Sequence, residues 1–373
     1  MTIELPQPIG DHVVGLTTTE FICPDGDGAP RRIHVTLYYP ADSTEGKPAA
    51  PYAFPELSDD EHWQRVARET LTHCYQDVRP SDRQRDFPVI IYNMGFGSFE
   101  MTGTVLCSDL ASCGYVVASV GHPETAAAVK YDDGTVVRIA PKLVETMRSS
   151  ELMDAIMPLF EEFKVTDENE DVRLIEMARQ FYALQPFGIM GTPWVNDTRR
   201  TADHLETLNR GDFPSIFEGR LRLGIGLGIT GHSFGGATAI ETLVRDARFP
   251  CGINMDGGHF GDTYGMDVAK PYLGIGNPFI WKMLKAVFLY NSADSFHVTI
   301  GGTDHLAFCD ALWTARGTPE EARLGTRDTE GTRAAITQYH LKFFGHYLLK
   351  QPEPFGDLGL ADTRFYEKRA APV

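Results

Sequence analysis

Leu223, Gly224, Ile225, Gly226, Leu227, Gly228, Ile229 and Thr230 run directly into Gly231, His232, Ser233, Phe234, Gly235 and Gly236, and the last six fit the pattern G-x-S-x-G. Apolar residues alternating with glycine predict a buried strand over 223–230. Small and apolar residues at helical spacing predict a helix over 237–245. A serine on a sharp turn between strand and helix has its hydroxyl pushed clear of the sheet, and flanking glycines permit both the strained turn and a close helix approach. The same six residues also suit a plain glycine-rich turn whose serine caps the next helix. The strand before and Gly235-Gly236-Ala237 after favour the nucleophile elbow.

A serine hydroxyl is a weak nucleophile at neutral pH, so it needs a histidine to take its proton and a carboxylate to orient that histidine. After an elbow the partners are expected in the chain order Ser, Asp or Glu, His, each on a loop following a strand. Asp256 follows the predicted strand 252–255, 23 residues after Ser233. His305 follows the predicted strand 296–300, 49 residues further on. Asp294 and Asp304 are the alternative acids, and Asp304 adjoins His305 too closely in sequence to reach its ring at a good angle. His232, His297 and His340 read as structural. His122 and His259, in loops near the expected site, are candidate substrate contacts.

Working outward, Phe87–Tyr92 is a continuous apolar run suited to the middle of a parallel sheet, followed by Asn93-Met94-Gly95-Phe96-Gly97, a helix over 102–113 stopped by Gly114, and a strand over 115–120. In such βαβ units the loops at strand carboxyl ends collect the functional groups. Backbone N–H groups of Gly95, Phe96 or Gly97 are therefore candidates for half of an oxyanion hole, with the N–H of Phe234 as the other half. Residues 11–40 read as antiparallel strands around an Asp25-Gly26-Asp27-Gly28 turn. Ser58 to Glu61 reads as a capping box starting a helix towards Cys74. A closing helix is expected over 333–349.

Between 131 and 195 the βα rhythm stops. Helices are expected over 142–163 and 170–184, interrupted by Pro158 and Pro186, and a further amphipathic helix over 196–208. Met147, Met153, Met157, Met177 and Met190 are five of the chain's eleven methionines. Flexible thioethers on an inserted helical segment suit a lid over an apolar pocket, a dimer face or a satellite core. The expectation is one α/β domain over 1–373 with this insertion.

The formal net charge of −17 argues against nucleic-acid binding and against docking on anionic lipid, both of which need basic surface. Six scattered cysteines without C-x-x-C pairs indicate no zinc or redox site. The first residues lack a basic and apolar leader, and no run approaches a membrane span, so a cytoplasmic location is expected. The triad chemistry calls for no metal and no organic cofactor.

The stretches 88–99, 109–117, 231–238, 254–257 and 300–310 resemble the plasma-type platelet-activating factor acetylhydrolases, also called lipoprotein-associated or group VII phospholipases A2. The resemblance covers about residues 85–315. Its most specific part is the phenylalanine-bearing elbow combined with a nearby aspartate and a histidine followed by Phe308 and Asp310. It implies an α/β-hydrolase fold, with nucleophile, acid and base on Ser233, Asp256 and His305 and oxyanion amides on Phe96 and Phe234. Met94, Gly95, Gly97, His259 and Phe308 are the candidate substrate-binding residues. The family usually carries His-Gly where this chain has Met94-Gly95, which leaves backbone donors untouched and puts substrate preference in question. The implied substrate is a small ester or a lipid with a short acyl chain, acted on by a monomer or homodimer. A polyester or dienelactone-type hydrolase, an acyltransferase on the same scaffold, and a catalytically silent binding module are the alternatives.

Overall fold

A computed structural model describes residues 2–24, 30–184, 187–259 and 263–371. The expected turn at Asp25 to Gly28 and Pro186 fall outside these residues.

The centre is a sheet in which six parallel strands lie side by side. In spatial order they are β7 (Val116–Gly121), β6 (Val89–Asn93), β10 (Gly228–His232), β11 (Cys251–Met255), β12 (Tyr272–Gly276) and β13 (Ser295–Ile300). Every residue of these strands is buried, which is why they read as apolar runs rather than as alternating patterns. Beyond β7 the sheet continues antiparallel through β3 (Pro30–Ala41) and β2 (Val13–Pro24), then parallel to β5 (Thr70–Gln76) and β1 (Ile3–Glu4), with β4 (Ala49–Pro51) paired on β5. β14 (Thr363–Lys368) closes the far edge antiparallel to β13.

Helices cover both faces. α2 (Thr104–Ser112) and α11 (Thr329–Tyr347) pack together on one, and α6 (Phe187–Arg210) with α7 (Phe234–Arg245) on the other. The pleat of β10 sorts its side chains between these layers: Thr230 bonds the His340 ring of α11 at 2.9 Å, whereas a Cβ placed at Gly231 would strike the Gly235 backbone of α7. The chain runs from β6 to β7 on one side, and β10 then pairs with β6 on the other. The order therefore reverses at β6, and the carboxyl ends of β6 and β10 flank the crevice where open α/β sheets place their sites.

Several expected elements shift. The strand predicted over 223–230 begins at Gly228, and Leu223–Ile225 is instead a surface 3-10 turn. That glycine-apolar alternation is half solvent-facing, and Gly226 turns the chain at φ +88°. The helix expected to run towards Cys74 is α1 (Glu61–Glu69), and Thr70–Gln76 is strand. Its cap is Asp60, which accepts the Trp63 N–H at 2.8 Å, rather than Ser58. Within 131–195 lie a strand and three helices ahead of the long α6. The strand is β9 (Val136–Arg138), which pairs with β8 (Ala128–Lys130) in a small hairpin, and the helices are α3 (Pro141–Met147), α4 (Ser150–Val165) and α5 (Asp171–Tyr182). Pro158 sits inside α4 without ending it. The helix expected over 281–290 is two short ones, α8 (Pro278–Met283) and α9 (Lys285–Tyr290).

Candidate active site

Ser233 occupies the single-residue junction between β10 and α7 with φ +57° and ψ −121°. A non-glycine residue held there costs about 1–3 kcal/mol, so its surroundings must over-determine it. They do so through the backbone: the Ser233 N–H donates to the Met255 carbonyl at 2.8 Å, and the Ala237 N–H donates to the Ser233 carbonyl at 3.2 Å. The neighbouring glycines are steric necessities. A Cβ at Gly235 would lie 2.1 Å from the Asn93 carbonyl oxygen, and one at Gly257 would lie 2.1 Å from that of Ser233.

The turn brings the Ser233 Oγ to 2.9 Å from His305 Nε2, while His305 Nδ1 lies 2.7 Å from Asp256 Oδ2. A carboxylate only accepts, so Nδ1–H donates to Asp256, and Nε2 of the neutral ring is left to accept the serine proton. Asp256 is 2% exposed and takes two more donors, the Asn277 backbone N–H at 2.7 Å and its Nδ2 at 3.2 Å. The alternative acids are engaged elsewhere. Asp294 accepts from Tyr347 at 2.6 Å, and Asp304 accepts the His305 backbone N–H at 2.7 Å without reaching the ring.

The loop Asn93–Gly97 lies directly against the serine: a Cβ at Gly95 would be 3.4 Å from the Ser233 Cβ. The rings of Phe96 and Phe234 are 6.2 Å apart. Phe234 opens α7, so its amide lies in a first turn, where the helix dipole favours negative charge. Fully buried Asn93 anchors the loop, its Oδ1 accepting from Thr198 at 2.8 Å and from His122 at 3.0 Å.

With this arrangement in hand, the chain can be compared with known proteins. The model of the family described as platelet-activating factor acetylhydrolase, isoform II, matches residues 1–310. The chain belongs to that family. The platelet-activating factor acetylhydrolase of Bos taurus is 29% identical over 236 residues, covering 60% of this chain and 48% of the bovine protein. The corresponding protein of Gallus gallus is 24% identical over 339 residues, covering 82% and 74%. The match to the bovine relative thus spans about half of that protein's length. A ferulic acid esterase from Streptomyces cinnamoneus superposes with a TM-score of 0.74 at 24% identity over 98% of this chain and 99% of its own, a likeness of fold. The mostly parallel sheet with flanking helices is the α/β-hydrolase fold.

In this acetylhydrolase-family chain the triad opens onto a cavity of about 660 Å³. Phe96, Phe160, Phe181, Tyr182, Phe234 and Phe279 give it an aromatic wall, with Met147, Ile280 and Met283 filling between the rings. The segment 131–195 thus supplies part of the cavity beside Ser233, from α3, α4 and α5. Its methionines divide: Met147 lines the cavity, Met177 is buried, and Met153 and Met157 are 41% and 44% exposed. The Met190 side chain falls outside the described residues.

Most of the expected substrate contacts do not reach this cavity. His259 is fully buried, 3.0 Å from the Thr263 hydroxyl and 3.7 Å from Glu241 of α7. His122 is fully buried, stacked on Trp194 and bonded to Asp197 at 2.9 Å. Met94 points into the core with no exposure, Gly97 is a positive-φ turn residue, and Phe308 is buried beside Leu106 and Ile336. Gly95 touches the serine without lining the cavity. Asp310, quoted with Phe308 in the family motif, caps α2 by accepting the N–H groups of Thr104 at 2.9 Å and Val105 at 3.1 Å. Burial pushes its carboxyl up to about 8.

Asn277 is absent from the sequence reading, and His232, read there as structural, supports the site from beneath. Asn277 orients Asp256 and also caps α8. Its signal is the pair Asn277-Pro278 directly after a strand, an N-cap followed by proline in the first turn. His232 donates from Nε2 to the His305 carbonyl at 2.9 Å and so holds the base's backbone. Burial above all lowers its pKa to about 3.

Proposed function

We propose that this chain hydrolyses carboxylic esters through an acyl-serine intermediate. The observation that carries the reading is the continuous hydrogen-bonded line from Asp256 through His305 to Ser233, ending in an apolar cavity. As the Ser233 Oγ attacks the carbonyl carbon, His305 Nε2 takes its proton and Asp256 stabilises the imidazolium. The carbonyl oxygen gains negative charge, and the N–H groups of Phe96 and Phe234 donate hydrogen bonds to it, aided by the α7 dipole. His305 then protonates the departing alcohol, and in the second half it deprotonates the water that releases the acid.

Small esters with short acyl chains, or lipids bearing them, are the substrates this reading favours. A walled cavity admits one small substrate, whereas a polymer chain needs an open groove. The helices α3 to α5 act as the lid in this reading, because they contribute Met147, Phe160, Phe181 and Tyr182 to the wall.

The test is hydrolysis of p-nitrophenyl esters from acetyl to dodecanoyl by wild type and Ser233→Ala, alongside labelling by a fluorophosphonate. Wild type is expected to cleave the short members and to be labelled, and the variant to lose about 10⁴-fold or more in kcat. A wild type that neither cleaves nor takes the label would leave a silent hydrolase fold.

A further inference from the structure

Behind the loop that follows β6 lies a second histidine–aspartate pair, which takes no part in the proton path of the ester chemistry. His122 Nδ1 is 2.9 Å from Asp197 Oδ2, and His122 Nε2 is 3.0 Å from Asn93 Oδ1. Asp197 in turn accepts from Arg31 of β3, from Nε at 2.7 Å and from Nη2 at 2.9 Å. The line Arg31, Asp197, His122, Asn93 thus crosses from β3 through α6 and the turn after β7 to the last residue of β6. Asp197, His122 and Asn93 are each at most 1% exposed, and none of the four lines the cavity. A buried ion pair adds little net stability over apolar side chains of the same volume. What it adds is direction, because a fully bonded polar network fixes where each member sits.

A second arm starts from Trp194, one turn earlier on α6. Its Nε1–H donates to Thr125 Oγ1 at 2.7 Å, and the Thr125 carbonyl accepts the Gly97 N–H at 3.2 Å. The indole also stacks on the His122 ring with centroids 3.8 Å apart and meets the Phe234 ring edge-on at 4.8 Å. Thr198 completes the set by donating to Asn93 Oδ1 at 2.8 Å. Trp194, Asp197 and Thr198 stand at i, i+3 and i+4, which places them on one face of the helix. That face holds Asn93 and Gly97, the two ends of the loop that carries the Phe96 amide, and it touches Phe234, which carries the other. Oxyanion donors act over a window of about 2.7–3.1 Å, so the spacing of two such amides has to be held closely.

We infer that His122, with Trp194, Asp197 and Thr198 of α6, are positioning residues that set the spacing of the two oxyanion amides. They act through Asn93 and Gly97 and never touch the substrate. This rests on the esterase reading and on the pair of amides it uses, and adds what holds that pair in place.

The experiment measures kcat and KM on 4-nitrophenyl acetate and on its thiono analogue, in which sulfur replaces the carbonyl oxygen. The proteins are wild type, His122→Phe, His122→Gln, Trp194→Phe and Thr198→Val. Amides placed for an oxyanion serve the larger, more diffuse sulfur anion far less well, so the preference for ester over thionoester reports on the hole. A displaced triad or a loosened fold slows both substrates alike. His122→Phe keeps a ring on Trp194 and loses both hydrogen bonds. It is expected to lower kcat on the ester about 10- to 100-fold with KM changed about twofold or less, and to narrow the preference by a comparable factor. Trp194→Phe and Thr198→Val, each milder in shape and each losing a donor to the loop or to Thr125, are expected to do the same by about 3- to 10-fold. They decide the matter if His122→Phe does not fold. His122→Gln, which still reaches Asn93 with an amide, is expected to recover part of the loss. A preference absent from the wild type, unchanged in every folded variant, or accompanied by equal losses on the two substrates would overturn the inference and leave the esterase reading standing. A wild type inactive on both and unlabelled by fluorophosphonate would remove the esterase reading itself, and this inference with it.

Discussion

Gly235 is the residue at which the site's two halves meet. Its missing side chain lets the start of α7 approach the end of β6, where a Cβ would sit 2.1 Å from the Asn93 carbonyl and 2.4 Å from that of Met94. Gly235→Ala must therefore push the Asn93–Gly97 loop away from α7 and separate the amides of Phe96 and Phe234. The expected outcome is a fall in kcat of about 10²-fold or more, comparable with losing one oxyanion donor, while Ser233 still takes fluorophosphonate at a reduced rate. Asn277 acts one shell further out, through two donors on Asp256. Asn277→Ala removes the side-chain donor and the cap of α8 together. It is expected to lower kcat about tenfold with little change in KM, and to cost about 1 kcal/mol in urea unfolding. That Ser233, Asp256 and His305 come together was legible in the sequence, because each follows a strand in the expected order and the structure joins them by hydrogen bonds. The expected contacts at His122 and His259 were not, because nearness in sequence to a catalytic loop does not reveal which way the chain turns after it.

At the scale of elements, α4 decides what the cavity accepts. Phe160 lines it and meets Phe181 at 5.3 Å and Phe279 at 5.5 Å, joining α4 to α5 and α8. Phe160→Ala removes that ring from the wall, so the chain-length optimum on p-nitrophenyl esters is expected to move to longer acyl groups. An unchanged optimum would place the acyl group elsewhere. A helix over 142–163 interrupted at Pro158 was expected; the break falls instead at Arg148-Ser149, between α3 and α4, and Pro158 is accommodated inside α4. The short strand β5 and the closing strand β14 were missed. Thr70–Gln76 and Thr363–Lys368 lie near the ends of the sheet and are part-exposed, so neither shows the apolar run that marked the central strands.

Over the whole molecule, burial sets the response to acid. His232, His259 and His297 are held down to about 3, and His340 to about 4, in each case foremost by burial. Unfolded histidine titrates near 6.5, so below that pH the unfolded chain binds protons that the folded chain refuses. Their contribution is complete above about 6.5 and is lost as pH falls towards 3, by up to ~1.4 kcal/mol per histidine per pH unit. Asp310, raised to about 8, works in the opposite sense, as one group against four. Urea midpoints at pH 7.5, 6 and 5 are expected to fall steadily, and a flat profile would mean that these imidazoles protonate without unfolding. Loss of activity from this cause should follow the unfolding transition.

By itself the sequence determined the parallel core, the elbow and the order of the triad, because these depend on local patterns: apolar runs of strand length, glycines beside one serine, an acid and a base each following a strand. The tertiary structure alone decided which rings line the cavity and that Asn277 and His232 hold Asp256 and His305. The two hydrogen-bonded relations join residues 21 and 73 positions apart, and they arise from how the loops at the strand ends fold over one another. No local periodicity encodes such packing, since the same apolar or charged residue type serves equally well in core, surface or site until its neighbours are placed.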